Sequence, residues 1–412
     1  MPALPYRIAL TLAVSLLAVS GSAAREIYVN NQSGSNESAG TAEAPFRTAR
    51  KAISVVGEGD VIHLLPKKVV YREMITIRDK GPFTIEGHDC TVSAADPLPS
   101  NPAEWEAIGP ALHRIRLRRT IEDRHVLVVN GAAQMMGRTK YMIQAAKRAA
   151  GQEGDFEALR AVLTSQYPKP ADLNDGQFAW EPIDMTSGWL YVKGPLANLE
   201  WSVRSQCIYT TGRSDGVAIR NLHARFALND GFNLHGAALD YRLQNVTAYG
   251  CFDNGISPHG ACSFTAEDSR FWGNEMALGN DFATQTHFVR CELAGSTQEE
   301  IMCIGGKHLF EDCRIRAAGP VAIRLIHTKR SPQFVLNEIK LAGADPEMKS
   351  EVTFRNCTVE SADGPVRQIV TQPGPSVAFE RCVFKGIEFK PEKASNVKLI
   401  DCTLDGRAIG ER

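Results

Sequence analysis

The sequence lacks an excess of either charge. Its 412 residues carry 46 Lys and Arg against 47 Asp and Glu, a formal net charge of −1. Nucleic-acid backbones are held by basic stripes, so no nucleic-acid partner is expected. Past the N-terminus it lacks any apolar run of the roughly 20 residues a membrane helix needs, so the mature chain is read without a transmembrane segment. It also lacks long blocks of like charge, which argues against global disorder. The Leu-x-x-Leu-x-Leu pattern of leucine-rich repeats is missing as well.

What is present begins at the N-terminus. Arg7 precedes a 13-residue apolar run from Ile8 to Ser20, and Ser22-Ala23-Ala24 follows. This is the layout of a secretory signal with a small-residue cleavage site. Residues 1–24 are read as a signal peptide and 25–412 as one exported domain, secreted, periplasmic or on the cell surface. No Cys follows the cleavage site, so no lipid anchor is expected.

An exported chain with ten cysteines invites a disulfide reading. The spacing points elsewhere. "FVRCEL", "FEDCRI", "FRNCTV", "FERCVF" and "LIDCTL" share one frame, placing Cys291, Cys313, Cys357, Cys382 and Cys402 at intervals of 22, 44, 25 and 20. The interval of 44 is either two units or one unit with an insertion. Upstream, "IRNLHA", "LQNVTA" and "AEDSRF" put Leu222, Val246 and Ser269 in the same slot at intervals of 24, 23 and 22. The residue before the slot is usually Asn or Asp, which tolerate a left-handed turn.

A period of 20 to 25 with short runs of Val, Ile, Phe and Thr describes a β solenoid. "NDGFNLHG" (229–236) and "DNGISPHG" (253–260) are then one strand on two successive rungs. Leu, Val, Ser and Cys interchange in the stacked slot, so it needs a small buried side chain, and a mostly reduced cysteine column is expected. Regular rungs are read over about 216–405. "APFRTARKAISVV" reads as a capping helix over the open end. Residues 96–215 break the period, with a helical insertion at about 134–170: "RTKYMIQAAKRAA", then "DFEALRAVLTSQY" with Asp155 as its N-cap.

These features resemble the pectin-lyase-like superfamily of right-handed parallel β-helix proteins. The opening phrase carries Gly40-Thr41, Pro45-Phe46 and Gly59-Asp60 ahead of Tyr71 and Glu73. The phrase "DGVAIRNLHARFALNDGFNLHG" is similar to β-helix glycoside hydrolases. The resemblance implies an all-β, right-handed parallel β-helix with an N-terminal capping helix and a small helical insertion, monomeric, with a polysaccharide as partner. The superfamily holds lyases, hydrolases, epimerases and non-catalytic proteins, so the fold leaves the activity open.

Chemistry is expected where scarce histidines share a column. With Phe232, Leu234, Ile256 and Pro258 inward, Asn233, Ser257, His235 and His259 point to one exposed face. His235, His259, Asp230, Asp281, Lys307 and Arg324 are the catalytic candidates. Asn233, Ser257, Asn254 and Glu275 are candidates for binding substrate. The strip also includes Asp253, His308 and His327. A uronate lyase needs a base for the proton α to the carboxylate and a group that neutralises that carboxylate. The order Glu299-Glu300, Lys307, Arg324 resembles the alginate lyase and chondroitinase B family, with Glu299 and Glu300 as ligands for Ca²⁺; that family spaces its acids, and here they are adjacent. A hydrolase would pair carboxylates from Glu275, Glu300, Asp230 and Asp281. Ser257-Pro258-His259-Gly260 is similar to the Asp-Pro-His-Asp of mannuronan epimerases but lacks both acids. A glycan-binding scaffold without catalysis would instead use Trp105, Trp180, Trp189, Trp201 and Trp272 as sugar platforms. The leading expectation is a polysaccharide lyase, with hydrolase and scaffold as alternatives.

Overall fold

A computed structural model describes residues 24–135, 156–326, 333–393 and 395–411. Most of the signal segment, the expected helix over 138–150, Asp155 and His327 lie outside these residues.

Short β-branched and aromatic runs alternate with sharp turns, so the chain coils instead of forming helices. The coil is a right-handed parallel β-helix, the hand that twisted strands impose on parallel crossovers. One wall is a nine-stranded parallel sheet built from Ile75–Arg78, Ile208–Thr211, Phe232–Leu234, Asn254–Pro258, Met276–Asp281, Glu299–Ile304, Val321–Ile326, Arg367–Thr371 and Ile387–Pro391. The other wall is a long sheet bent along its length, with strand pairs such as Tyr241–Gln244 and Thr247–Tyr249 on either side of the bend.

The bend is the turn read from the sequence. Asn221, Asn245, Asp268, Arg290, Asp312, Asn356, Arg381 and Asp401 all adopt φ between 49° and 54°. Asn and Asp bear this left-handed state at little cost. Asn245 Nδ2 donates to Asn221 Oδ1 at 2.7 Å, and Asn356 Nδ2 to Asp312 Oδ1 at 3.1 Å, so the turns also bond rung to rung.

The small slot after each turn is buried, and all ten cysteines are free thiols. Nine of the ten thiols find a backbone acceptor, as Cys357 Sγ does at Phe310 O, 3.4 Å away, and Cys402 Sγ at Phe379 O, 3.2 Å away, whereas Cys303 Sγ accepts from Asn280 Nδ2 at 3.3 Å. Beside them Phe288, Phe310, Phe354 and Phe379 stack at 5.0, 4.6 and 4.8 Å between ring centroids. Phe310 meets Phe354 directly, so the 44-residue interval is one rung with an insertion. That insertion carries a helix, Gln333–Ala342, whose Val335 and Ile339 pack with Ala261 and Ala283 at a corner of earlier rungs.

The capping helix Ala49–Val55 buries Ala49, Ala52 and Ile53 on the first rungs. Thr48 caps the Lys51 N–H, and Glu73 accepts from the N–H groups of Ala49 and Arg50. The break in the period is mainly β. Its described part forms two four-stranded antiparallel sheets, with one helix, Phe156–Ser165, burying Leu159 and Leu163. Trp105, Trp180 and Trp201 fill this insert's core, which removes three of the five tryptophans from the glycan-platform set. Among the described residues, no helix is long and apolar enough to cross a membrane.

The thiol state is checkable. Purified protein, denatured without reductant and treated with a thiol reagent, is expected to titrate all ten cysteines. A shortfall of two or more would mean that neighbouring rungs are cross-linked.

Candidate functional site

The outward face of the nine-stranded sheet carries the polar residues. Phe232, Ile256, Leu278, Ile301 and Ile323 stack inside the coil in strict register. Outside them, Asp230 lies beside Asn254, and Tyr209, Asn233 and Ser257 form a second column. A third column ends the strands with His235, His259 and Asp281. This face was expected to be exposed. Asp230, Asn233, Asn254, Ser257 and Glu275 are instead buried. Arg124, from the β-rich insert, reaches over to Asn229, the Leu228 carbonyl and Asp253. The Gln333–Ala342 helix covers the other end.

The two histidines are neighbours, as their column requires. Their rings stack with centroids 4.1 Å apart and planes at 12°. His235 Nδ1 lies 2.9 Å from Glu338 Oε1, on the covering helix. His259 Nδ1 lies 3.0 Å from Asp281 Oδ2. An ionised carboxylate only accepts, so both Nδ1 atoms carry hydrogen and both Nε2 atoms are left for other work. His259 Nε2 is 2.8 Å from Ser257 Oγ, whereas His235 Nε2 has no hydrogen-bond partner among the described residues. Burial opposes a charged His259, but the Asp281 hydrogen bond and the charges of Asp281, Asp230 and Glu338 outweigh it and raise its proton affinity. Both side chains are about one-fifth exposed.

At the other end of the face, Asn254 Nδ2 donates to Asp230 Oδ1 at 2.8 Å and to Asp253 Oδ1 at 3.1 Å. Asn233 Nδ2 donates to Asp230 Oδ2. Asn233 Oδ1 and Asn254 Oδ1 are buried and accept no hydrogen bond among the described residues. Buried acceptors left open in this way suit a ligand rich in hydroxyl groups.

Other expected residues fall elsewhere. Lys307 opens a strand of the long sheet, Lys307–Glu311, and sits 3.7 Å from Glu351. The chain turns at Gly305-Gly306 and carries Lys307 off the histidine face. Arg324 stays on the outward face, but its Nε is 2.5 Å from Glu299 Oε1. Glu300 turns inward, where both its oxygens accept from Ser296 and one also from the Ala318 N–H. Burial raises its pKa to about 7 despite those donors. Ca²⁺ takes six to eight oxygens, and Glu299 and Glu300 face opposite ways with oxygens already engaged. They do not fit a shared ion, and among the described residues no group of three potential ligands converges. Glu275 and Glu300 are not in register either, since Glu275 lies opposite Gln298.

Three contributors were missed. Tyr209 sits one rung before Asn233, with its ring 6.1 Å from that of His235. Its phrase "IYTTG" aligns with "FNLHG" and "ISPHG", so the repeat itself was a signal for it. Glu338 and Arg124 arrive from insertions, and nothing in the repeat announces them.

No family model matches the sequence, and no curated protein matches it. Solved structures do. XylC, solved in complex with xylose, is 12% identical with a TM-score of 0.58, over 93% of this chain and 73% of that one. The chain shares its overall fold with XylC. At this identity the likeness extends to the β-helix and not to the reaction. The pectate lyase Pel9A is 11% identical with a TM-score of 0.46, over 94% and 82% of the two chains, and adds no argument.

One histidine of the strip belongs to the core of the β-helix. His308 Nδ1 lies 2.9 Å from Thr286 Oγ1, and Nε2 donates to Gly305 O at 2.8 Å. Burial pushes its pKa down to about 4, from 6.5 in an open chain. The unfolded chain therefore binds the extra proton first, and stability falls as pH drops from about 6.5 toward 4. This one group accounts for about 3 kcal/mol at the acid end. Urea unfolding across that range is expected to show this acid loss in the wild type and a shallower one in His308→Gln. Parallel curves would place the acid sensitivity elsewhere.

Proposed function

We propose that the protein is a carbohydrate-active enzyme, a polysaccharide lyase that cleaves a uronic-acid-containing glycan on the outward face of the nine-stranded sheet. The observation that carries this reading is His235. Glu338 fixes its ring through Nδ1–H, and its Nε2 lone pair has no hydrogen-bond partner among the described residues. Such a nitrogen suits removal of the proton α to a uronate carboxylate.

In the elimination, His235 Nε2 takes that proton as the carbon–carbon double bond forms and the glycosidic oxygen departs. Tyr209, beside His235, is the candidate to give the departing oxygen its proton. His259, held by Asp281, stacks on the His235 ring and keeps it facing the substrate. Asn233, Asn254 and Ser257 would meet the sugar hydroxyls. Arg324 would contact the polymer three to four rungs further on, and Lys307 would lie beyond the turn. The fold shared with XylC, solved with xylose, supports a carbohydrate ligand without naming the sugar.

Hydrolysis is the second reading. It is favoured by Asp230 and Asp253, two carboxylates sharing the single Asn254 amide donor.

A panel of uronate-containing polysaccharides separates the readings. The lyase predicts ultraviolet absorbance from an unsaturated uronate, reduced about 10²–10⁴-fold in His235→Ala. New reducing ends without absorbance would mean hydrolysis. Binding with neither product would mean a scaffold.

A further inference from the structure

The second histidine of the stack stands in a different constellation. Ser257 Oγ lies 2.8 Å from His259 Nε2 in a hydrogen bond, and His259 Nδ1 pairs with Asp281 Oδ2 at 3.0 Å. Asp281 holds the Nδ1–H tautomer, which leaves Nε2 as the acceptor of the Ser257 proton. That is the order nucleophile, base, orienting acid used for acyl transfer. A serine two residues before a histidine on the same outward strand face brings the first two members together, and the next rung supplies the third.

The surroundings suit a small acyl group. A Cβ at Gly279 would lie 2.5 Å from Asn254 Oδ1, so this place on the rung after Ser257 must stay without a side chain. Asn233, in register with Ser257 on the preceding rung, spends one Nδ2 hydrogen on Asp230. An amide nitrogen carries two, so the second can donate to an oxyanion beside Ser257. Ser257 itself is enclosed, while the His259 and Asp281 side chains are about one-fifth exposed. A substrate therefore meets the chain of groups from the ring side.

We propose that Ser257, His259 and Asp281 form an acyl-transfer centre that hydrolyses small O-acyl esters, acetyl above all, carried on a glycan. Ser257 Oγ attacks the ester carbonyl as its proton passes to His259 Nε2. The tetrahedral intermediate expels the sugar oxygen, which takes that proton back. Water, deprotonated by His259, then attacks the acyl-serine, releasing the carboxylic acid and restoring the serine. Asp281 stays ionised throughout. The ester-bearing glycan rests on the carbohydrate reading above, but the serine chemistry does not, and it can be read without any polysaccharide.

The test is covalent labelling of the folded protein with a small alkyl fluorophosphonate, mapped by peptide mass spectrometry, beside turnover of 4-nitrophenyl acetate. The proposal predicts one phosphonate adduct, on Ser257, absent in Ser257→Ala and formed about 10²–10⁴-fold more slowly in Asp281→Asn. Acetate release should fall with it, while circular dichroism stays that of the wild type. No adduct on Ser257 in folded wild-type protein, or acetate turnover equal in wild type and Ser257→Ala, would overturn it. Failure of the lyase reading leaves these results untouched, because no uronate enters either assay.

Discussion

Parallel register between successive rungs is the constraint on which everything else in the molecule depends. Hydrogen bonds hold neighbouring strands about 4.8 Å apart, so a residue's position within its rung decides what lies above and below it. A left-handed Asn, Asp or Arg at each bend from Asn221 to Asp401 resets the register and keeps it from drifting. Inside the coil this yields a phenylalanine stack and a column of small residues whose thiols bond to backbone carbonyls. Aligned thiols point the same way rather than at each other, which explains free cysteines in a chain that reads as exported.

On the outside the same register brings His235 and His259 face to face. Two imidazolium rings with centroids 4.1 Å apart would repel strongly in a partly buried site. Each ring therefore meets a carboxylate of its own, Asp281 from the following rung and Glu338 from the covering helix. The two histidines differ in the remaining nitrogen. His259 is committed to Ser257, whereas His235 has no such partner among the described residues. That asymmetry gives stacked copies of one motif different chemistry.

Much of this was legible in the sequence, because a repeat exposes its own rules. The turn residue, the small slot, the inward Phe232 and Ile256 and the adjacency of the histidines all follow from period and alternation. What stayed hidden came from insertions and from local choices of side-chain direction. Glu338 is 103 residues from His235 in sequence, and no pattern joins them. The 44-residue interval could not reveal whether it held a second rung or a covering helix. Glu299 and Glu300 are adjacent letters, yet the strand sends one to Arg324 and the other into the turn. Lys307 follows a Gly-Gly corner that carries it onto another wall. The outward face looked solvated because alternation separates inside from outside but says nothing of what folds back over the outside.

The central claim is that two carboxylates set the tautomers of a stacked histidine pair and leave His235 Nε2 as a base. Nitrogen NMR of the imidazole rings tests it most directly, in wild type and in Glu338→Gln. The account predicts hydrogen on His235 Nδ1 and a bare Nε2, a preference that weakens when Glu338 loses its charge, while His259 keeps its hydrogen on Nδ1 beside Asp281. A His235 ring protonated on Nε2, or one indifferent to the Glu338 substitution, would contradict it.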